Sequence, residues 1–509
     1  MTQGQLAEPD RGFFAALDRV VHGNPFSDER TQLIQDLVPG ASAEQLAQDR
    51  EALARTVVPR LRAFAGTDAV LRLDEPDRRL VQSAFLYVCY HRHVPPLDEL
   101  IACEVARREA PPVDRIAGSV VGELAGCGIH EDAATRCFAF FYQLRRAYHF
   151  IARSLPGESA SMRRLRRALW DNVFTHDMRS YRDGLWNRME DFATLLLGAT
   201  GTGKGEAAAA IGRSGFIPYL REKRRFAAGF MDSFTAVNLS QFPETLIESE
   251  LFGHRKGAFT GAVDHQAGVL ARCSVHGALF LDEIGELSVS VQVKLLRVLQ
   301  DRAFAPLGSH DTRHFAGRVI AATHQPLAQL RAQGRLRDDF YYRLCSDVIE
   351  LPTLRQRIGE SPRELEDLVR LLVERIAGEP RADLLAQVLG ALARDLPGGY
   401  AWPGNVRELE QAVRRVLLTG RYAGDLAADQ AVPAQQLAAL AHAGQLNAKD
   451  LLGRYCAMLY HRLGTYAEVA TRTGLDRRTA RKYVVEYGAV AGEHLSNSRA
   501  SSSITAPST

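Results

Sequence analysis

The spacing of apolar positions changes near residue 190 and divides the chain into regions with different predicted structure. From about residue 12 to 190, apolar residues recur at intervals of three and four, as at Leu80, Ala84 and Val88. Such intervals place side chains on one face of a helix, so this region is predicted to be all-helical. After it, short apolar runs alternate with glycine-containing loops and helical stretches. This alternation predicts a parallel sheet covered by helices.

Four apolar runs are predicted to be the strands of this sheet: residues 194–197, 234–238, 278–281 and 318–322. Helical spacing returns at about residues 361–420. Residues 421–447 are rich in Ala and Gln with little periodicity, which is typical of a linker. The Ser-, Ala- and Thr-rich stretch from about residue 491 has too few apolar residues for a core and is predicted to be disordered.

Composition places the chain among ordinary folded proteins. Its 509 residues are 46% hydrophobic and 24% charged, which suits about three domains rather than a single core. No run approaches the roughly 18 apolar residues of a membrane span, and the first residues lack a secretion signal, so we expect a cytoplasmic protein without a membrane partner. The seven cysteines form no C-x-x-C pair, which indicates neither zinc nor disulfides. A net charge of +3 restricts any nucleic-acid contact to a local basic patch.

A glycine-rich loop follows the first predicted strand and leads into an alanine-rich helix. It consists of Gly198, Ala199, Thr200, Gly201, Thr202, Gly203 and Lys204. Backbone N–H groups of such a loop cradle the phosphates of ATP, and Lys204 would reach the β- and γ-phosphates. The next residue, Gly205, stands where the general pattern has a Ser or Thr that contacts Mg²⁺. A glycine-rich turn without a ligand is the alternative interpretation.

Two adjacent carboxylates, Asp282 and Glu283, end the third predicted strand about 80 residues after this loop. Beside a phosphate site, such a pair holds Mg²⁺ and polarises water. Asp282 is therefore the predicted metal ligand and Glu283 the predicted catalytic base. Acidic residues that only end a strand are the alternative.

A further pattern lies between these two sites, at residues 248–254 and 257–262. The second segment comprises Gly257, Ala258, Phe259, Thr260, Gly261 and Ala262. With the phosphate loop and the acidic pair, it makes residues 190–420 resemble the central domain of the bacterial activators of sigma-54 RNA polymerase. In that family the six-residue loop grips sigma-54. From the residues alone, two glycines around an aromatic and a hydroxyl predict a mobile loop, and a buried Phe in an ordinary turn is the alternative.

This resemblance implies an α/β AAA+ P-loop ATPase core, a parallel sheet with a helical lid, that assembles as a homo-oligomer, in this family a hexameric ring. Arg337 and Arg343 lie in a segment that resembles the family's arginine fingers, which stabilise phosphoryl charge at the neighbouring subunit's nucleotide. Solvated surface arginines are the alternative. Arg407 matches the family's second sensor, an arginine at the start of a lid helix that touches the nucleotide.

Asn238 matches the family asparagine that hydrogen-bonds the catalytic glutamate, and an Asn that caps a strand end is the alternative. Thr323 and His324 stand at the first sensor. The family usually has Asn where this chain has His324, and Glu, Ser or Thr where it has Gly205. A neutral imidazole still donates one hydrogen bond, but with different reach, so altered turnover is expected.

A basic helical segment lies near the end of the chain. The pattern predicts one helix stopped by Gly464, a second opened by Thr465 with capping-box spacing to Glu468, and a third capped by Asp476. The third helix carries Arg477, Arg478, Arg481 and Lys482. The segment resembles the helix-turn-helix that closes many sigma-54 activators and predicts double-stranded DNA as a partner. A bundle used only for protein contacts is the alternative.

Residues 1–180 contain no motif from which we name a family. They lack the alternating strand and helix pattern of a receiver domain. His91 and His93 suggest a metal site, but two residues that are two apart on a helix point in different directions, so exposed helix residues are the favoured interpretation. The region is predicted to be regulatory by analogy with the family's architecture.

The sequence thus predicts six segments and one favoured function. The segments are a helical regulatory domain at 1–180, an AAA+ α/β subdomain at 181–357, a helical lid at 358–425, a linker at 426–447, a helix-turn-helix at 448–488 and a disordered tail at 489–509. The favoured function is an ATP-hydrolysing transcription activator that uses ATP and Mg²⁺, binds DNA and remodels sigma-54 RNA polymerase. The alternatives are an AAA+ remodeller of another protein and a nucleotide-gated DNA-binding repressor with weak hydrolysis.

Overall fold

The computed structural model describes residues 4–41, 52–64, 67–424, 437–438 and 440–488. The chain divides into two compact units, residues 1–368 and residues 369–509. Within the described residues, no helix is long and apolar enough to cross a lipid bilayer. Residues 426–436 and 439 of the predicted linker and the predicted tail at 489–509 lie outside the described residues.

The N-terminal region is helical, as predicted. Its helices are α1 (Glu8–His22), α2 (Asp28–Leu37), α3 (Ala52–Leu61), α4 (Thr67–Leu71), α5 (Glu75–Arg92), α6 (Val94–Val105), α7 (Val113–Ala125), α8 (Glu131–Arg153), α9 (Ala160–Phe174) and α10 (Met178–Ser180). Helix starts follow capping chemistry, since Ser27, Asp74 and Ser159 each accept a backbone N–H of the first turn. Helices α1 to α5 bury a core of their own around Phe14 and Leu17.

The strands are β1 (Thr194–Leu197), β2 (Tyr219–Leu220), β3 (Arg225–Phe226), β4 (Phe234–Asn238), β5 (Gly253–His254), β6 (Gln266–Ala267), β7 (Ala278–Asp282), β8 (Ala303–Phe304), β9 (Arg313–His314), β10 (Arg318–Thr323) and β11 (Asp347–Glu350). Five of the described strands form one parallel sheet in the order β11-β1-β10-β7-β4. The four predicted strands are confirmed. The edge strand β11 was not predicted, because its Asp-Val-Ile-Glu sequence has only two apolar residues.

The helices that follow β1 in the first unit are α11 (Lys204–Gly212), α12 (Glu244–Phe252), α13 (Val269–Arg272), α14 (Val289–Asp301), α15 (Leu327–Ala332), α16 (Asp338–Leu344) and α17 (Leu354–Glu360). Alternate strand residues enter different cores, as the two-residue period of a strand requires. Leu195 and Leu279 pack with α12, α14 and α16, whereas Leu196 and Phe280 pack with α11.

The N-terminal helices cover one face of this sheet. The core that contains Leu196, Phe280 and α11 also contains Phe138 of α8 and Leu169 of α9. Hydrogen bonds accompany the apolar contact, since Asn172 of α9 donates to Thr194 Oγ1 over 3.0 Å. The predicted boundary at residue 180 therefore marks a change in sequence pattern, and the packing continues across it.

The C-terminal part of the chain is helical. The helices are α18 (Glu364–Ala377), α19 (Ala382–Asp395), α20 (Asn405–Thr419), α21 (Ala448–Leu463), α22 (Tyr466–Thr473) and α23 (Arg477–Gly488). Helices α21 to α23 bury a small core that includes Cys456, Val469 and Val484. Helices α21 and α23 approach closely at Gly453, where an added Cβ would lie 2.3 Å from the ring of Tyr487. A side chain at 453 would require the Tyr487 ring to move.

Candidate active site

The carboxyl ends of three neighbouring strands bring the predicted nucleotide residues to one edge of the sheet. Leu197 of β1 pairs with Thr323 of β10, and Ala321 of β10 pairs with Leu281 of β7. The residues that follow these strands therefore leave the sheet side by side. They are the glycine-rich loop from 198, His324, and the carboxylates at 282 and 283. In open α/β sheets this edge is where ligands bind.

The glycine-rich loop has a backbone that only glycine adopts without strain. Gly201 and Gly203 have φ angles of 81° and 99°. A Cβ on Gly198 would lie 2.9 Å from Thr202 Oγ1 and 3.1 Å from Leu351 Cβ. The loop thus packs closely while it turns the chain into α11, whose first-turn N–H groups have no partner within the helix. These groups form a cradle suited to phosphate.

Lys204 and Gly205, the first two residues of α11, lie next to this cradle. The Lys204 side chain is buried and donates from Nζ to the carbonyl of Gly198 over 2.8 Å and that of Ala199 over 3.3 Å. Gly205 is exposed on the first turn of α11, and no atom lies within 4 Å of a Cβ placed there. A Ser or Thr side chain would therefore fit at 205, so its absence does not follow from packing.

The catalytic-base candidate Glu283 is held by the residue at the first-sensor position. Glu283 has a φ of 59°, which is uncommon for a residue with a side chain. Its Oε2 lies 2.7 Å from Nδ1 of His324, and its backbone N–H donates to Asp282 Oδ1 over 3.1 Å. The Glu283 side chain is 17% exposed and that of His324 44%. Sequence reasoning missed this contact, because the two residues lie 41 positions apart.

Asn238 has a different partner from the one that the family resemblance implies. It ends β4 in register with Asp282, but its Oδ1 accepts from the backbone N–H of Ser240 over 3.0 Å and from Ser240 Oγ over 2.7 Å. Among the described residues, no hydrogen bond joins Asn238 to Glu283. In this structure Asn238 caps the turn after its strand, and His324 makes the contact to the glutamate. The neighbouring Thr323 is buried and accepts from Gln325 N–H.

The two arginine-finger candidates lie at either end of the short helix α16. Arg337 makes two hydrogen bonds to the carboxylate of Asp339, at 3.0 and 2.8 Å. This contact, first through its hydrogen bonds, raises the pKa of the Arg337 guanidinium and lowers the pKa of Asp339. Arg343 is exposed and donates from Nε to the carbonyl of Leu299 over 3.3 Å. Both side chains are accessible to solvent at the surface of this unit.

The second-sensor candidate Arg407 is exposed on the first turn of α20, within the second unit. The preceding turn is fixed by Glu408, whose carboxylate accepts from the hydroxyls of Tyr400 and Tyr422 and from the N–H of Gly404, over 2.6 to 2.8 Å. Trp402, which stacks on Tyr422, is buried. This network orients the start of α20 and leaves the Arg407 side chain pointing into solvent.

Residues 257–262 form a tight exposed loop between β5 and β6. The Gly257 N–H donates to the carbonyl of Ala262 over 2.8 Å, and both glycines of the loop have φ angles that favour glycine, 82° and 103°. Phe259 is 38% exposed, although its ring edge contacts His254 at a centroid distance of 5.0 Å. Thr260 is exposed at the tip, and Ala258 is partly buried. The loop therefore presents an aromatic edge and a hydroxyl to solvent.

The basic residues of the last helix also face solvent. Thr465 accepts from the Glu468 N–H, and Asp476 accepts from the N–H groups of Arg478 and Thr479, so the caps of α22 and α23 form as the sequence predicts. The exposed basic side chains of α23 are Arg477, Arg478, Arg481 and Lys482. They make a positive helix face.

A possible metal cluster in the N-terminal region comprises Cys89, His93 and Glu123, whose ligand atoms lie within 4.8 Å of one another. Both ring nitrogens of His93 are already in hydrogen-bond contact, Nδ1 with the Cys89 carbonyl at 2.9 Å and Nε2 with Ser119 Oγ at 3.0 Å. Burial raises the pKa of the Cys89 thiol, which opposes the thiolate that a metal needs. His93 is buried, so the expectation of an exposed histidine was wrong there.

Known proteins match the part of the chain that holds this site. Residues 180–350 match the sigma-54 interaction domain. The transcriptional regulatory protein ZraR of Klebsiella oxytoca is 38% identical over 295 residues, which are 57% of this chain and 62% of that protein. The regulatory protein AtoC of Escherichia coli K12 is 31% identical over 383 residues, 70% of this chain and 78% of that protein.

Among solved structures, the crystal structure of NtrX from Brucella abortus is 22% identical, covers 73% of this chain and 80% of its own, and has a TM-score of 0.39. The chain spans less than two thirds of ZraR and more than three quarters of AtoC. With the glycine-rich loop, the acidic pair and the exposed 257–262 loop in one unit, the chain belongs to the family of sigma-54-dependent transcription activators.

Proposed function

We propose that the chain is an AAA+ ATPase that binds DNA and uses ATP hydrolysis to remodel sigma-54 RNA polymerase so that promoters open. One observation carries the proposal: the phosphate cradle and the acidic pair meet at one sheet edge, in the same unit that exposes the 257–262 loop. Either feature alone fits many proteins. Their combination fits a nucleotide-driven contact with a protein partner.

At the proposed site, the loop at 198–204 and the first turn of α11 bind the ATP phosphates. Lys204 exchanges the carbonyls of Gly198 and Ala199 for phosphate oxygens, which its flexible side chain allows. Asp282 supplies a carboxylate oxygen of the kind that Mg²⁺ prefers, so it would hold the ion. Bound Mg²⁺ neutralises charge on the phosphate oxygens.

Glu283 orients the attacking water and accepts its proton. The hydrogen bond from Nδ1 of His324 fixes the Glu283 carboxylate, and it competes for one of the two oxygens that receive the proton. Nδ1 carries a hydrogen in this contact, because a carboxylate only accepts. In the proposed cycle, a nucleotide that engages His324 also changes how Glu283 is held.

Assembly supplies the remaining charges. Arg337 and Arg343 would act on the nucleotide of the adjacent subunit, and Arg407 would report lid position, so the proposed active form is a ring, a hexamer by family expectation. The proposed DNA contact lies on α23, whose four basic side chains are exposed.

The decisive experiment combines the full chain with purified sigma-54 in the presence of ADP and aluminium fluoride, which mimic the transition state. We expect a stable complex of the chain with sigma-54 that forms only when the analogue is present. ATP turnover without a sigma-54 complex would indicate a remodeller of another protein. DNA binding without turnover would indicate a nucleotide-gated repressor.

A further inference from the structure

A cavity of about 540 Å³ lies within the N-terminal helical region, away from the predicted nucleotide motifs. Residues of α1, α2, α3, α5, α6, α8, α9 and α10 line it, together with Gly23, Pro25 and Arg182. Its volume lies in the range of small-molecule sites, roughly 300–1,000 Å³.

The apolar walls of this cavity combine aliphatic and aromatic side chains. The aromatic lining residues are Tyr87, Tyr90, Phe140, Phe141, Tyr148 and Trp170. Phe26 holds two of them in place, since it stacks on Tyr148 at 5.7 Å and meets Trp170 edge-on at 6.0 Å. Rigid aromatic walls favour a planar apolar ligand, because ring contacts add to the gain from burial.

The charge of the lining has one sign. Three arginines line the cavity, and no Asp or Glu is among its described lining residues. Two of these arginines are paired within the protein. Arg145 binds both carboxylate oxygens of Asp98 at 2.7 Å, and Arg182 donates to Asp183 over 3.0 Å and contacts His22.

Among the residues that the structure describes, the third arginine, Arg30, has no carboxylate partner. Its Nε donates to the Val20 carbonyl over 2.9 Å, while neither terminal nitrogen has a hydrogen bond or ion pair with any described residue. Burial lowers the pKa of the Arg30 guanidinium, although the group stays protonated because arginine is so basic. Tyr87, Tyr90 and Tyr148 line the same cavity as Arg30.

The geometry points to a binding site for an aromatic carboxylic acid, with the carboxylate on Arg30 and the ring between the aromatic walls. A guanidinium offers two parallel N–H donors that match a carboxylate, and the partly exposed Arg30 has no carboxylate partner among the described residues. One available cation and apolar walls suit a single negative charge. They do not suit a phosphate or a nucleotide, which needs several donors.

The helices that line this cavity also contact the predicted nucleotide core. On α8, Tyr148 and Arg145 face the cavity, while Gln143 and Arg146 bind the carbonyls at the end of α11. On α9, Trp170 lines the cavity two residues before Asn172, which binds Thr194. A ligand in the cavity therefore contacts α8 and α9, which are hydrogen-bonded to the end of α11 and to β1.

The test uses the full chain and three probes of similar shape: 2-naphthoate, the neutral 2-naphthamide and cationic 2-naphthylmethylammonium. Calorimetric titration should show that naphthoate binds at least tenfold more tightly than the amide, with no binding of the cation. Arg30→Met should remove this preference and leave amide affinity unchanged. The control is Arg19→Met, which removes an exposed arginine paired with Glu29 and should change nothing.

A second variant separates the cavity from the charge. Ile34→Trp places a large side chain in the lining and should abolish binding of both naphthoate and naphthamide. If circular dichroism shows that Arg30→Met does not fold, the Ile34→Trp variant still tests the assignment of the cavity. Equal affinity for acid and amide, undiminished binding to Ile34→Trp, or no binding of naphthoate to the parent chain would each overturn the assignment.

Discussion

His324 Nδ1 lies 2.7 Å from Glu283 Oε2, so the residue at the first-sensor position holds the predicted catalytic base directly. This pair replaces the contact that the family resemblance implies for Asn238, whose side chain is engaged by Ser240. The strand order explains why His324 lies beside Glu283. Strand β10, which His324 follows, lies between β1 and β7, and Glu283 follows β7. We propose that His324 orients Glu283 through this contact.

His324→Ala should lower the kcat of ATP hydrolysis by about ten- to a hundredfold, because a misplaced base loses its alignment with the attacking water. ATP affinity should change little, since the phosphate cradle is intact. Turnover and fluorescent-nucleotide binding are the measurements. His310→Ala, an exposed histidine, is the control. Glu283→Gln should lower the kcat of ATP hydrolysis further, by about 10²–10⁴-fold. An unchanged kcat in His324→Ala would show that the contact has no catalytic role.

Mixed rings should reveal action between subunits. Arg343→Ala and Lys204→Ala variants are each expected to be inactive, the first for lack of the donated charge and the second for lack of phosphate binding. When mixed, some interfaces combine an intact cradle with an intact Arg343, so partial turnover should return. Mixed rings must be verified by tagged pull-down. Verified rings without any recovery would contradict donation across the interface.

Thr260→Ala should keep ATP hydrolysis and DNA binding but lose the analogue-dependent sigma-54 complex and open-complex formation. The hydroxyl is exposed at the tip of a loop closed by the bond between Gly257 and Ala262, so its removal leaves the fold intact. Thr135→Ala, a partly exposed threonine on α8, is the control. If Thr260→Ala activates a sigma-54 promoter like the parent, the loop is not the contact.

Arg478→Ala and Arg481→Ala should each weaken DNA binding by about tenfold and reduce its salt dependence, since both side chains are exposed on the basic face of α23. ATP turnover should be unaffected. Arg454→Ala, an exposed arginine on α21, is the control, and fluorescence anisotropy at two salt concentrations is the measurement. DNA affinity that survives the double substitution would rule out α23 as the DNA-contacting helix.

Arg146→Met should destabilise the first unit by about 2–3 kcal/mol and lower its apparent Tm by about 5 °C. The fully buried Arg146 donates to the carbonyls of Arg213 and Gly215, both over 2.8 Å, and methionine leaves them without a donor. Arg136→Met changes an exposed arginine of the same helix and should be neutral within about 0.5 kcal/mol. Equal melting of the two variants would mean that these bonds contribute little.

The sequence by itself determined the features that depend on neighbouring residues. A phosphate loop needs glycines and a lysine within seven positions, and a strand that ends in carboxylates needs one short run. Helix caps such as Thr465 and Asp476 act over two or three residues. These patterns therefore located four of the five main strands, the nucleotide motifs and the last three helices.

Only the tertiary structure decided the features that join distant residues. Glu283 and His324 lie 41 positions apart, and Gln143 reaches Ser214 across 71. The sequence pattern of α8 shows that the helix is amphipathic, but not that one side meets α11 while the other lines a cavity beside Arg30. Such contacts depend on how helices and strands pack in space, and packing is a property of the whole chain that no local spacing encodes.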